Sequence, residues 1–447
     1  MVLSYPLNRR LMPFLLIGLA LLLILSSCTS SSINKYQREN LNVKPTPILE
    51  SAVPDCSLPP CTVSGDTPAI RNFIDTWNNV HIFQSFDYNI TNPSAVAYHY
   101  DFVWGAATDH VSAIRSGNPK IFISYYIPFH RDSGTFADSS AHKDLAYWKA
   151  VHPDWILYKC DRVTPAYEFG NPNIPLDFAN PALVAWQIKT YGQPASKNGY
   201  DGIAADNVGM ENYYNACGVY INGTWVQRYT GQPDDPQWRE DIVSWLTRMQ
   251  QALHQLQHPL ALIPNLSLGS VSPDDPLVQQ ALSHVDGVLD EDGFTNDARG
   301  YLTGNDWVQR IHLMRNVQEQ HKPYYVVNQF QAPSISRDSL QWALASYLMG
   351  KGRMAALFIS TYQGYGADTR YNEYNTQIGS PHDVMYQWQN VYWRDYTNGL
   401  ILVNPSATEA YTVTFSAGSH YFDLYGYSVG KTVTLPAHSG MVLLSSI

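Results

Sequence analysis

Two stretches of the sequence place carboxylates directly after a short apolar run. In residues 198–208, a turn and an apolar segment lead to Asp206 and Asn207, and in residues 285–294 a similar segment leads to three consecutive carboxylates. Two carboxyl groups on different strands can break a glycosidic bond across one cleft, because one protonates the leaving oxygen while the other attacks or activates water. The pattern therefore predicts a paired-carboxylate site that includes Asp206.

The second carboxyl group of this pair comes from Asp290, Glu291 or Asp292. Side chains alternate between the two faces of a strand, so Asp290 and Asp292 share one face and Glu291 lies on the other. We select Glu291 as the acid/base because its longer side chain reaches further into a cleft. The spacing leaves both a retaining and an inverting mechanism open, and the retaining one is our prediction.

Other predicted strand ends carry polar or aromatic side chains. Polar groups there are expected to bind sugar hydroxyls, and aromatic rings are expected to stack on sugar faces. The predicted substrate-binding residues are Asp101, Trp104, Tyr125, Tyr126, Asn207, Asn265, Asp290 and Gln329. The sequence contains no Cys-x-x-Cys motif and no histidine cluster, so we expect neither a metal nor a cofactor.

The elements that must position these residues alternate between strand-like and helix-like patterns over residues 70–391. Eight strand-like segments separated by helical ones predict an α/β fold, specifically a (β/α)8 TIM barrel, whose functional groups collect at the carboxyl ends of the strands. The predicted strands span 81–87, 101–105, 120–126, 198–208, 260–265, 285–294, 324–329 and 354–360. An open doubly wound sheet is less favoured, because no glycine-rich phosphate loop follows the first strand.

A different pattern begins near residue 392. Short alternating segments separated by Gly, Pro and Ser turns predict a small antiparallel β-sandwich over residues 392–447. We expect this part to pack against the barrel, and a sugar-binding role is the less favoured alternative.

Composition bears on the ligand. The chain has 447 residues with a net charge of -10, and only 15% of its residues are charged, whereas it contains 31 Tyr and 12 Trp. Abundant aromatic residues and few charges suit a neutral, hydroxyl-rich ligand. The negative charge and the lack of basic runs argue against nucleic acid, whose binding depends on phosphate neutralisation. A carbohydrate is therefore the predicted partner.

The N-terminus resembles an export signal. Arg9 and Arg10 precede an apolar run from Leu11 to Leu25, which is short for a membrane span and suits a signal peptide. The run ends in Leu-Ser-Ser-Cys, which resembles a bacterial lipobox with Cys28 as the lipidated residue. Residues 1–28 are thus predicted to be a lipoprotein signal, and the polar residues 29–65 a flexible tether. The predicted location is extracytoplasmic, with lipid at Cys28 as the only membrane attachment.

Four further cysteines are an even number, which permits two disulfides in an exported protein. Cys56 and Cys61 are close enough in sequence to close a small loop. That pairing would leave Cys160 with Cys217.

Three motifs resemble a known group of enzymes. They are His152-Pro-Asp-Trp-Ile-Leu157, Leu176-Asp-Phe-Ala-Asn-Pro181 and Gly199-Tyr-Asp-Gly-Ile-Ala-Ala-Asp206. This run resembles the α-galactosidase-type glycosidases and, more nearly, the uncharacterised glycoside-hydrolase-like barrels similar to them. The resemblance extends over about residues 75–445, and its specific motifs lie between 152 and 207.

The resemblance implies that Asp206 is the nucleophile and that the sixth strand supplies the acid/base. Ala204 and Ala205 stand where the α-galactosidases have a lysine-containing, substrate-binding segment, so α-galactoside specificity is not implied. We therefore expect a glycoside hydrolase acting on a poly- or oligosaccharide. The alternative is a non-catalytic, carbohydrate-binding surface lipoprotein, in which the sixth-strand carboxylate would point away from the cleft.

Overall fold

The computed structural model describes residues 80–132, 142–170, 173–296 and 299–445. The predicted signal peptide, the lipobox with Cys28, the tether, Cys56 and Cys61 lie outside these ranges. Within them, no helix combines the length and the apolar character that crossing a membrane requires.

Two sets of parallel strands carry the predicted carboxylates. Five strands form one set, in the order β1 (Phe83–Ser85), β2 (Phe102–Trp104), β3 (Phe122–Pro128), β4 (Gly202–Asp206) and β5 (Ala261–Leu262). Three strands form the other, in the order β6 (Val288–Asp290), β7 (Tyr324–Phe330) and β8 (Ala355–Thr361). The sequence-based strands correspond to these eight, although most of the observed strands are shorter.

Two isolated parallel bridges join residues that flank these sets. One pairs Ile82, next to β1, with Leu357 of β8, and the other pairs Asn265, beyond β5, with Leu289 of β6. Each outer strand of one set therefore has a backbone contact with an outer strand of the other. The chain has an α/β fold, as predicted.

Helices follow most of the parallel strands. The helices of seven or more residues in the described ranges are α1 (Val111–Gly117), α2 (Leu145–Val151), α3 (Pro181–Gln187), α4 (Pro236–His254), α5 (Pro276–Ser283), α6 (Gly304–Glu319) and α7 (Arg337–Gly350). Three of them, α3, α4 and α5, begin with an Asn-Pro or Asp-Pro pair, in which the side chain of Asn180, Asp235 or Asp275 caps a backbone N–H of the first turn. Proline at the first helical position removes an N–H that has no helical partner.

Alternation along the parallel strands separates two buried layers. One layer is an apolar cluster to which every parallel strand contributes. Its members include Phe83, Phe102, Phe122, Ala204, Ala261, Leu289, Tyr325 and Ala356. Intervening residues such as Val103, Ile203 and Val326 belong to the larger cluster that includes the helices. We call the first face the inner face. Because side chains repeat every two residues, Asp206 and Glu291 share the inner face with Ala204 and Leu289.

The C-terminal strands are antiparallel. They are β9 (Tyr386–Trp388), β10 (Val391–Tyr396), β11 (Gly399–Asn404), β12 (Tyr411–Thr414), β13 (Tyr421–Phe422), β14 (Ser428–Val429), β15 (Thr432–Leu435) and β16 (Ser439–Leu444). Six form one sheet in the order β9-β10-β11-β16-β13-β14, and β12 pairs with β15. Strand β16 packs closely on α7, since a Cβ added at Gly440 would lie 2.6 Å from that of Ala345.

A small antiparallel sheet joins two connections that follow β3 and β4. Its strands are Tyr158–Lys159, Ala216–Ile221 and Thr224–Gln227. The Cys160–Cys217 disulfide links the same two connections. The long connection after β3 is thereby held against the one that follows β4, which bears Asp206.

Candidate active site

The side chains of Asp206 and Glu291 meet through Asn265. The Asn265 amide nitrogen lies 3.0 Å from Oδ1 of Asp206 and 2.7 Å from Oε2 of Glu291. These two carboxylate oxygens are therefore separated by at most the sum of the two contacts, about 5.7 Å. Asp206 ends β4, Asn265 lies just beyond β5 and Glu291 directly follows β6. All three are in register with inner-face residues of these strands, and therefore their side chains converge.

Donor groups surround the carboxylate of Asp206. Its Oδ2 accepts hydrogen bonds from the Tyr126 hydroxyl at 2.8 Å and the Asn207 amide at 2.7 Å, and a guanidinium nitrogen of Arg131 lies 3.3 Å away. Burial and the charge of Asp206 raise the pKa of Tyr126, so its hydroxyl remains a donor. With Asn265 on the other oxygen, both oxygens of the Asp206 carboxylate accept hydrogen bonds from side chains that hold it in a fixed position.

Arg131 is itself held in place from the opposite side. Its other terminal nitrogen forms a buried ion pair with Glu168. The guanidinium also lies 5.4 Å from the ring centre of Phe169. Asn207 has a left-handed backbone, with φ of 59°, which asparagine tolerates better than most residues. These contacts position the donors around Asp206.

The side chains that donate to Glu291 are neutral, whereas Asp206 also has the guanidinium of Arg131 nearby. Oε1 of Glu291 accepts a hydrogen bond from the Tyr365 hydroxyl at 2.8 Å, and that hydroxyl also lies 2.9 Å from Oγ of Ser85. Burial raises the pKa of Glu291, and the charges of Asp206 and Asp292 raise it further, against the opposing hydrogen bonds from Tyr365 and Asn265. The protonated form that a general acid requires is thus favoured at Glu291.

The pair therefore combines one carboxylate in a donor-rich setting with one carboxyl group whose proton is retained to higher pH. When the surroundings keep the proton on one of two neighbouring carboxyl groups, that group is suited to act as the acid and the other to act as the nucleophile or base. No group of three or more His, Cys, Asp or Glu side chains suited to a metal occurs in the described part of the chain.

The prediction that Asp290 binds substrate is wrong. Its carboxylate is buried, forms an ion pair with Arg310 of α6 and accepts a hydrogen bond from the Tyr324 hydroxyl. Alternation directs it away from the inner face, as it does for Val288. Asp292 lies beyond the strand and pairs with Arg299 at 3.1 Å.

Three further substrate-binding predictions are wrong for reasons of position. Trp104 is completely buried, and its indole N–H donates to the Ile263 carbonyl at 3.1 Å, so no face is open to a sugar. Tyr125 packs on Tyr200 in the outer layer. Asp101 precedes β2 and contacts His81 at 2.7 Å, which places it at the amino end of the parallel strands, away from the carboxylate pair.

The other predicted residues lie at the carboxyl ends. Tyr126, Asn207 and Asn265 contact Asp206 directly, as described above. Gln329 of β7 is buried and shares the parity of the inner-face residue Tyr325, so its side chain is on the inner face.

Sequence reasoning missed Arg131, Glu168 and Tyr365. Arg131 and Glu168 come from the long connection after β3, and Tyr365 follows β8, so none ends a predicted strand. One signal was available for Arg131, because it comes only three residues after β3 ends. A cation placed so soon after a strand end is a candidate partner for a carboxylate at the neighbouring strand end.

The fold and this site together define an α/β protein with a paired-carboxylate centre. Residues 115–400 match the model of hypothetical glycosyl hydrolase family 15, GHL15. This span is more than half of the chain, so the chain belongs to that family, and it is a glycoside hydrolase. A search of curated proteins found no match.

Several solved structures have a weaker likeness to this chain. Ega3 from Aspergillus fumigatus, solved with galactosamine, has 11% sequence identity and a TM-score of 0.38, and the match covers 66% of this chain and 97% of Ega3. Amy13B from Eubacterium rectale has 10% identity and a TM-score of 0.43, with 83% and 96% covered. The GH36 α-galactosidase AgaA from Geobacillus stearothermophilus, as its A355E variant, has 12% identity and a TM-score of 0.41, with 82% and 55% covered.

Proposed function

We propose that the protein hydrolyses an O-glycosidic bond of an oligo- or polysaccharide with retention of anomeric configuration. Asp206 is the nucleophile and Glu291 is the acid/base in this proposal. The observation that carries it is the single Asn265 amide that contacts both carboxylates. Retaining glycosidases hold their two carboxyl groups about 5–5.5 Å apart, and inverting ones about 6.5–9.5 Å apart. The upper limit of about 5.7 Å between the nearest oxygens supports the retaining class.

The reaction has two steps. In the first, Asp206 attacks the anomeric carbon, the bond from that carbon to the leaving oxygen breaks, and Glu291 gives its proton to the leaving oxygen. In the second, the Glu291 carboxylate takes a proton from water, the water oxygen attacks the anomeric carbon, and the ester bond to Asp206 breaks. The raised pKa of Glu291 supports the first step, since the proton must be present at working pH.

The non-catalytic alternative required a sixth-strand carboxylate that points away from the cleft. Glu291 instead shares a hydrogen-bond donor with Asp206. A binding protein would gain nothing from two acidic groups held this close, because their mutual repulsion costs free energy unless one is protonated. The catalytic proposal accounts for the pair, and the binding alternative does not.

We further propose that the two sets of parallel strands close into the predicted (β/α)8 barrel. The isolated bridges Ile82–Leu357 and Asn265–Leu289 support closure, because they join the outer strands of the two sets. The shared inner-face cluster, which contains a residue from every parallel strand, also supports it. In this arrangement the carboxylate pair lies at the barrel mouth, where such enzymes place their catalytic groups.

The domain limits and the cellular location are also proposals. We propose a C-terminal β-sandwich over residues 392–447, and the shared apolar cluster of Leu402, Val413 and Leu435 supports two packed layers. The observed sheet begins slightly earlier, at Tyr386. Export and lipid attachment at Cys28 follow from the sequence motif alone.

The configuration of the first product tests the proposed mechanism. With a cleavable oligosaccharide, proton NMR during the first minutes is expected to show the new reducing end in the same anomeric form as the broken bond. A high enzyme concentration is used so that enough product forms and is recorded before spontaneous mutarotation mixes the two anomers. First appearance of the opposite anomer would contradict the retaining mechanism.

A further inference from the structure

Exposed aromatic side chains border the carboxylate pair. Tyr88 is 54% exposed and Phe169 is 68% exposed. Exposed rings also occur elsewhere on the surface, so the position of these two beside the carboxylate pair is what matters: a sugar bound there would cover their apolar faces, and burial of apolar surface gains free energy. The stacking surface predicted at Trp104 is absent, so these two rings are the candidates to replace it.

Tyr88 lies on the Glu291 side of the site. Its ring packs on Phe86, with centroids 5.5 Å apart, and Phe86 in turn packs on Tyr365, whose hydroxyl contacts Glu291. A Cβ added at Gly366 would lie 2.8 Å from the Tyr88 ring, so the ring rests directly on that backbone. Burial and the charge of Glu291 raise the pKa of Tyr88 to about 12, which agrees with this proximity. Tyr88 is therefore fixed beside the proposed acid.

Phe169 lies on the Asp206 side. Its ring packs edge-on against Tyr214, with centroids 5.6 Å apart, and Arg131 separates it from Asp206. Phe169 also has a left-handed backbone, with φ of 55°. A bulky residue adopts this conformation at a cost, and such outliers cluster at functional sites.

We propose that Phe169 and Tyr88 are stacking platforms for two sugar rings that flank the ring bound at the carboxylate pair. This inference rests on the proposed function and defines its substrate. Tyr88, beside the proton donor, takes the first ring of the leaving group. Phe169 is separated from Asp206 by the Arg131 guanidinium. It stacks on the sugar ring next to the one that becomes bound to Asp206, on the side away from the leaving group. The preferred ligand is consequently an oligosaccharide of at least three pyranose rings.

Pyranose rings present C–H faces that pack on aromatic rings, while their hydroxyls point outward to polar groups. Stacking platforms on both sides of the carboxylate pair require an open cleft through which a sugar chain can extend in both directions. A pocket for a terminal monosaccharide would need the rings on one side only. The substrate class inferred here is a chain cleaved between internal units.

The test compares chain lengths in the full-length protein. Wild type, Tyr88→Ala and Phe169→Ala are assayed on malto-, isomalto-, cello- and galacto-oligosaccharides from disaccharide to hexasaccharide, and on the glycosyl fluoride of the cleaved sugar. Loss of one stacked ring is expected to raise KM about 3- to 10-fold with kcat little changed, from the disaccharide upward for Tyr88→Ala and from the trisaccharide upward for Phe169→Ala. The fluoride carries no ring on either side, so its hydrolysis is expected to change less than about 2-fold.

Control variants separate stacking from general damage. Tyr98→Ala and Tyr427→Ala remove rings elsewhere that are at least as exposed as Tyr88, and both are expected to behave as wild type. Tyr88→Phe and Phe169→Tyr keep an aromatic ring and are expected to keep the wild-type KM.

The outcomes distinguish this inference from the proposed function. If wild type cleaves oligosaccharides but both alanine variants match Tyr98→Ala at every length, the platforms are overturned and the proposed function stands. Equal losses on the fluoride and on the long substrates would also overturn the platforms, since that result indicates damage to the carboxylate pair. If wild type neither cleaves nor binds any of these oligosaccharides in calorimetry, both proposals fall.

Discussion

Asp206→Asn is expected to lower kcat by at least about 10³-fold, because the proposed mechanism forms its covalent intermediate on the Asp206 carboxylate. The amide retains the shape of the side chain and can still contact Asn265 and Tyr126. The protein should therefore remain folded, which circular dichroism and a thermal melt would verify. Asp234→Asn provides a matched control, since it makes the same chemical change at an exposed position and should leave kcat unchanged.

Azide rescue assigns the role of Asp206 more sharply than the loss of activity does. Asp206→Gly opens space for azide beside the anomeric carbon, and azide is expected to restore turnover of a glycosyl fluoride. Because azide attacks from the side that Asp206 occupied, the product should be a glycosyl azide of inverted configuration. Near-normal turnover by Asp206→Asn on a true substrate would remove Asp206 from the reaction.

Glu291→Gln is expected to lower kcat about 10²- to 10⁴-fold on oligosaccharides, the usual contribution of a positioned general acid and base. A glycosyl fluoride needs no proton to release fluoride, so the glycosyl-enzyme should accumulate with this substrate. Azide needs no general base and is expected to restore turnover, here with a product of retained configuration. The opposite configurations obtained from the two variants would assign the nucleophile and the acid/base independently.

The pH profile of wild type tests the same role of Glu291. Activity requires its protonated form and is lost as pH rises through its pKa, so a raised pKa extends activity to higher pH. Burial raises the pKa of Glu291 to about 8, so the alkaline limb of kcat/KM is expected near pH 8, well above the pKa of an unperturbed glutamate. Tyr365→Phe removes a hydrogen bond that favours the ionised form and should move the limb further up.

Asp292→Asn is the matched control for Glu291, because it neutralises the adjacent carboxylate. The charge of Asp292 contributes to the raised pKa of Glu291, so the alkaline limb should move to lower pH while kcat at the optimum changes less than about 10-fold. A larger loss in Asp292→Asn than in Glu291→Gln would reverse the assignment of the acid.

The carboxylates could be predicted because strand ends are visible in the sequence. The sequence predicts both Asp206 and Glu291 at strand ends, but side-chain length is a weaker reason to choose Glu291 over its neighbours than the one that the fold supplies. Leu289 is apolar and faces inward, and the residue two positions later must face the same way. The same parity places Asp290 against Arg310 and away from the cleft.

The surroundings of the pair could not be predicted, because they depend on long-range packing. Arg131 contacts Asp206 with one terminal nitrogen while its other terminal nitrogen is paired with Glu168, 37 residues away in sequence. Trp104 has the right composition and a strand-end position for stacking on sugar. Trp104 cannot stack on a sugar because its indole is buried in the interior, where its N–H donates a hydrogen bond to the Ile263 carbonyl. Sequence patterns give the face of a strand but not the depth at which a side chain ends.

Covalent trapping at Asp206 tests the central claim most directly. A 2-deoxy-2-fluoroglycosyl fluoride of the cleaved sugar slows both steps but releases fluoride readily, so the glycosyl-enzyme is expected to persist. Mass spectrometry of the digested protein is predicted to place one fluorosugar on the peptide that contains Asp206, and Asp206→Asn should remain unlabelled. A label on any other carboxylate, or no label in an enzyme that turns over oligosaccharides with inversion, would contradict the account.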